Sequence, residues 1–204
     1  MNDDRPGAES GPTVLPVPKS PFLPSENYDI RRLGEHDTEA PTVYIFQDVA
    51  EELIFTAQFR VAQMSVGVLT GGYYEGPAGR YVELRGFDHS RVVESMLEFA
   101  HQLRMDWPSM RQDKTLLEAR LIPLGWFVSR PGCKAQPGPF ELMIQLSFFN
   151  LPYHIGILID PVSRELGVYH SGGSSRMKNV GFNLIRAAAK QTEQEDEDRS
   201  SKGT

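Results

Sequence analysis

Between residues 42 and 190 the spacing of apolar positions switches repeatedly between a period of two and a period of 3.6, which predicts strands interleaved with helices. Residues 42–46 are β-branched and aromatic and predict a strand. Asp48, Val49, Ala50 and Glu51 then resemble a capping box and open a helix to about Arg60. Residues 64–74, with glycines at Gly67, Gly71 and Gly72, and residues 80–87 flank a Gly/Pro-containing turn and predict a hairpin. From Ser90 onward Val92, Met96, Phe99 and Leu103 recur at helical spacing, and Trp107 extends the stripe toward Pro108. A short helical stretch at 109–117 leads into an apolar strand at 119–128 and a Gly/Pro-rich loop at 131–139. Phe140, Met143, Leu146 and Phe149 predict another helix, residues 153–159 and 165–169 two strands, residues 171–175 a loop, and residues 182–190 a last helix. This order predicts an α/β fold with a central mixed sheet flanked by helices.

The two ends break the pattern. Seven of the 15 prolines precede residue 42, in a stretch that includes Pro16, Pro18, Pro21 and Pro24, so residues 1–41 are expected to be a disordered, proline-rich arm. Such an arm suits docking to an aromatic groove, or serves as a solvated leader. Residues 191–204 carry five acids and two bases and are expected to be a disordered acidic tail. One domain, residues 42–190, remains between them, as 204 residues would allow.

Charge and cysteine usage narrow the function classes. The net charge of −6 sits at the ends, because residues 42–190 carry 14 acids and 15 bases. A near-neutral body offers no electrostatic footprint for a phosphate backbone, so no nucleic-acid partner is expected. The N-terminus lacks an apolar h-region and no run reaches 18 apolar residues, which predicts no membrane association and a cytoplasmic location. The single cysteine, Cys133, excludes a disulfide within the chain and any cysteine-rich zinc module. No phosphate-binding glycine loop or G-x-S-x-G elbow is present, and the five histidines include no H-x-H or H-E-x-x-H pair. His154, at the head of an apolar strand, reads as a structural histidine.

Residues 124–132, Leu-Gly-Trp-Phe-Val-Ser-Arg-Pro-Gly, resemble the G-W-[YF]-H-S-H-P-G strand and loop of the JAB/MPN family, the JAMM metalloprotease fold used in deubiquitination. Residues 66–71, Val-Gly-Val-Leu-Thr-Gly, resemble that family's upstream strand. Residues 145–148 resemble the helix after its metal loop, and residues 155–161, Ile-Gly-Ile-Leu-Ile-Asp-Pro, its strand ending in Asp-Pro. The resemblance spans residues 42–171 and implies a cytidine-deaminase-like central mixed sheet.

The residues that carry the family's chemistry differ. Where the family has two metal-ligating histidines on either side of a serine, this chain has Val128 and Arg130 on either side of Ser129. A guanidinium offers no lone pair to zinc. The aspartate ligand falls on Glu141, the serine that assists the oxyanion on Gly138, and the general-base glutamate on Met64. Hydrolysis of this type needs a metal to lower the pKa of bound water and a base to use it. The resemblance therefore implies a pseudoenzyme with no catalytic residues, metal or cofactor. Two readings of Arg130 and Glu141 stand level: an ion pair in the metal's place, or two loop charges facing water.

Such a domain implies a scaffold or adaptor that pairs with a protein partner, another MPN-type subunit or a second copy of itself as a dimer. Met105 and Trp107 give the helix of residues 90–107 a candidate interface, while the same spacing is also that of core residues. Two alternatives stand. One is an enzyme centred on Cys133, with Arg130 and Lys134 favouring a thiolate and His154 or His170 as base. The other is a non-cleaving binder of a ubiquitin-like protein, taken up by strand addition near Ser129.

Overall fold

The computed structural model describes residues 15–19, 27–88, 91–110, 112–132, 136–172 and 176–187. In chain order the elements are β1 (Val17–Pro18), β2 (Tyr28–Leu33), β3 (Thr42–Phe46), α1 (Gln47–Phe59), β4 (Met64–Gly76), β5 (Gly79–Phe87), β6 (Arg91–Val93), α2 (Met96–Met110), α3 (Lys114–Glu118), β7 (Ile122–Ser129), α4 (Pro139–Phe148), β8 (Ile155–Asp160), β9 (Glu165–His170), β10 (Lys178–Asn179) and β11 (Phe182–Ala187). The fold is mixed α/β, one curled sheet with few helices. Its strand order is β10-β9-β8-β7-β4-β5-β3-β11-β2, with β1 and β6 each paired to β4.

β4 organises the sheet. Its first half pairs antiparallel with β7, Val66 opposite Val128, and its second half with β5, Tyr74 opposite Tyr81. β7 in turn runs parallel to β8, Val128 opposite Leu158. Alternation along these strands sends residues to two cores. Leu69, Val82, Leu84, Phe127, Ile157 and Ile159 face the side covered by α1, through Val49, Leu53 and Ala57. Val66, Val68, Trp126, Val128 and Leu158 face the other side, against Met96, Phe99 and Leu103 of α2 and Ile144 of α4. Gly125 permits the close approach of β7 to β8, because a Cβ there would lie 1.7 Å from the carbonyl oxygen of Ile155.

Several expectations are corrected. Within the arm assigned to residues 1–41, β2 is the sheet's edge strand, antiparallel to β11, and β1 pairs in parallel with β4. Residues 182–187 form a strand and not a helix: β11 lies between β3 and β2 and bonds to both. Residues 91–93 form β6 against β4, so α2 begins at Met96, where Ser95 Oγ accepts the Glu98 N–H at 3.2 Å. The acidic tail, residues 191–204, lies outside the described residues. Among the described residues no helix is long and apolar enough to cross a membrane.

Candidate functional site

The segments that carry the family resemblance are neighbours in space: β8, β7 and the first half of β4 are adjacent strands, and α4 packs over them through Ile144. On this face Met64, Val128, Arg130 and Glu141 come together. Val128 is fully buried between Val66 and Leu158, and Met64 packs against the same cluster. One position beyond β7, the Arg130 N–H donates to the Ile159 carbonyl oxygen at 3.1 Å, which keeps the chain in line with β8 as it leaves the sheet. Its guanidinium reaches the first turn of α4, where Nη2 lies 3.0 Å from Glu141 Oε1.

Glu141 is held from two directions. Its Oε2 accepts the N–H of Gly138, the N-cap of α4, at 2.8 Å, so the carboxylate caps the helix whose positive end it occupies. Its Oε1 faces Arg130. Glu141 is only 1% exposed, whereas the Arg130 side chain keeps 32% of its surface. The contact is charge against charge, not an aligned hydrogen bond: buried Oε1 of Glu141 and Nε of Arg130 have no hydrogen-bond partner among the described residues. Ser129 points to the opposite face of β7. Its directly paired neighbour there is Ser65, and both hydroxyls are fully buried and without a partner among the described residues.

The residues do not fit the zinc that catalytic members of the resembled family bind. Val128 is a hydrocarbon in the core, Arg130 is a cation and Met64 is a thioether packed against the same core cluster, which leaves Glu141 as the lone charged oxygen donor of the set. No group of three or more His, Cys, Asp or Glu among the described residues is arranged to hold a metal ion. Cys133 and Lys134 lie outside the described residues. The histidines offered as bases for Cys133 have other roles. His154 Nδ1 accepts the Leu151 N–H at 3.1 Å, and burial lowers its pKa to about 3, so the ring is neutral. His170 Nε2 contacts the Pro152 carbonyl oxygen at 2.9 Å, and burial lowers its pKa as well. Beneath the site, Trp126 Nε1 donates to Gln145 Oε1 at 2.8 Å and Gln145 Nε2 donates to the Phe149 carbonyl oxygen at 2.7 Å, which fixes α4 to β7.

Of the expected interface residues, Met105 is exposed. Trp107 instead packs edge-on against Phe149, with ring centroids 5.0 Å apart. A cleft between β4, β6 and α2, lined by Gly67, Asp88, Gln102 and Met110, has room for about one water molecule. Beside it Arg91 and Asp106 form an ion pair.

A second charged cluster lies at the far end of β4, and the sequence reading missed it. Glu83 of β5 is fully buried, and Lys19 Nζ and Arg85 Nη2 lie 2.6 and 2.5 Å from its two carboxylate oxygens. Tyr44, Tyr74 and Tyr81 share this face, with the Tyr81 ring centroid 5.5 Å from that of Tyr44 and 5.3 Å from that of Tyr74. Burial, and then the charge of Glu83, raise the pKa of all three phenols.

No family model matches the chain, and no curated protein matches it. Among solved structures it is similar to the solution structure of protein DSY2949 from Desulfitobacterium hafniense, at 17% identity and a TM-score of 0.44, over 68% of this chain and 89% of that one. A likeness at that level fixes neither family nor function.

Proposed function

We propose that the chain is a catalytically inactive, MPN/JAB-like scaffold or adaptor, in which an arginine supplied by the protein replaces the metal ion. The observation that carries the reading is the 3.0 Å approach of Arg130 to Glu141, the position expected for the retained carboxylate ligand. A carboxylate inherited from a metal site and now buried needs a cation, and Arg130 supplies one without offering a lone pair. Val128 and Met64 complete the change by turning the remaining ligand and base positions into core.

A protein lacking this chemistry acts through surfaces. Leu97 and Met105 of α2 and Phe140 and Leu146 of α4 are exposed on the two helices that cover the Val128 face of the sheet. They suit contact with another MPN-type subunit or a second copy of this chain, in the cytoplasm. The test is elemental analysis of protein purified without chelator, together with an isopeptidase assay on ubiquitin-like fusions. Zinc near zero and no cleavage are expected. About one zinc per chain, or turnover that a chelator abolishes, would overturn the proposal.

A further inference from the structure

Residues 15–19 lie as a strap alongside the second half of β4, and their hold on the sheet is concentrated in Lys19. Pairing in β1 is limited to Val17 opposite Tyr74 and Pro18 opposite Glu75. Leu15 and Val17 are 73% and 54% exposed, so the strap's apolar side chains bury little surface. Lys19, by contrast, is read at several atoms. Its N–H donates to the Glu75 carbonyl oxygen at 3.0 Å, and its own carbonyl oxygen accepts the Tyr81 hydroxyl at 3.0 Å. Its ammonium donates to Glu83 Oε1 at 2.6 Å and sits 4.5 Å from the centroid of the Tyr74 ring.

The receiving side is built into the sheet and does not depend on the strap's own fold. Glu83 and Tyr81 project from β5, and Tyr74 from β4. Arg85 braces the second carboxylate oxygen with Nε at 3.1 Å and Nη2 at 2.5 Å. Gly72, opposite Glu83 in the register, leaves the space that the Tyr74 ring occupies: a Cβ there would lie 2.2 Å from the Tyr74 hydroxyl oxygen. The edge of β4 beyond its pairing with β7 at residues 65–68 supplies backbone groups to an extended chain. Pro16 and Pro18 suit such a chain, since each holds its own φ near the extended value and lowers the entropy lost on docking.

We propose that this pocket is a binding site for an extended Pro-Lys peptide, with residues 15–19 as its intramolecular occupant. A peptide of that chemistry enters as a strand beside residues 74–75, places its lysine between Tyr74 and Glu83, and displaces the strap. The site lies roughly 30 Å along β4 from Arg130 and Glu141, taking about 3.3 Å per strand residue, and is independent of the scaffold reading. A tethered occupant has an effective concentration on the order of millimolar, so the wild-type chain resists a competing peptide and removal of Lys19 exposes the pocket.

The test is fluorescence anisotropy of a labelled peptide with the sequence of residues 15–20 against the full chain. The Lys19→Ala variant is expected to bind it at least 10-fold more tightly than wild type. Binding should fall at least 10-fold when the peptide's lysine is replaced by alanine, or when Glu83→Gln is added to the variant. If Lys19→Ala does not fold, Lys19→Gln carries the same measurement, because it keeps most of the stem. A peptide that fails to bind either variant, or that binds equally well without its lysine, would overturn the proposal.

Discussion

Glu83 and Glu141 are both glutamates withdrawn from water, and the protein neutralises them in different ways. Glu83 has two cations, one from two residues along the same strand and one from a strap 64 residues away in sequence. Glu141 has a single arginine, 11 residues before it, and a helix terminus that it caps. A charge in a strand has no backbone dipole to lean on and requires side-chain partners. A charge in the first turn of a helix already sits in a favourable field, and one cation suffices. The difference explains why the first cluster recruits a distant segment, and why the second is held by one arginine and its own helix terminus.

Breaking each cluster measures that difference. Lys19→Ala combined with Arg85→Ala leaves Glu83 buried without either cation and should destabilise the fold by about 3–5 kcal/mol in urea denaturation. A loss under 1 kcal/mol would mean that water reaches the carboxylate. Arg130→Met should cost less, about 1–3 kcal/mol, since Gly138 and the α4 terminus still stabilise Glu141. A cost equal to that of the first double variant would remove the distinction.

Titration sharpens the comparison once His154 is accounted for. Its folded pKa of about 3 lies below the usual 6.5, so the unfolded chain binds the extra proton between those values. Stability should therefore fall as pH drops from 6.5 toward 3, by up to about 1.4 kcal/mol per pH unit from this one residue. The His154→Gln variant should lose that part of the slope, and an unchanged slope would place the acid sensitivity elsewhere. At the alkaline end Tyr81, Tyr74 and Tyr44 have raised pKa values, so the folded state keeps protons that the unfolded chain releases above pH 10, and stability declines there. Tyr81→Phe has the smallest expected effect. It should lose about 1 kcal/mol at pH 7 with the hydrogen bond to Lys19, and show a shallower alkaline decline.

Local pattern made much of the sheet and its helices legible. The hairpin of β4 and β5, α1, α4 and the apolar strands β8 and β9 all follow periodicity, because each buries a face set by its own spacing. β11 was misread because Leu184, Ile185, Arg186 and Ala187 suit a helix as well as a strand, and its state is decided by β3 and β2 on either side. β2 was hidden by proline-rich flanks and by its half-buried position at the sheet edge. At the site, loop spacing and the family pattern allow Arg130 and Glu141 to pair or to face water separately, and only the three-dimensional placement of α4 decides for the pair. The Glu83 cluster had no such cue: Lys19 lay in a stretch read as solvated, and a glutamate in a strand reads as an outward position until its neighbours are known.

The central claim, that Arg130 is the chain's own replacement for a metal cation at Glu141, is tested most directly by a double-mutant cycle on Arg130→Met and Glu141→Gln, read by urea denaturation at pH 7. The account predicts a coupling energy of about 1–3 kcal/mol, with the double variant more stable than Arg130→Met alone. Additive losses, with coupling within about 0.3 kcal/mol of zero, would contradict it.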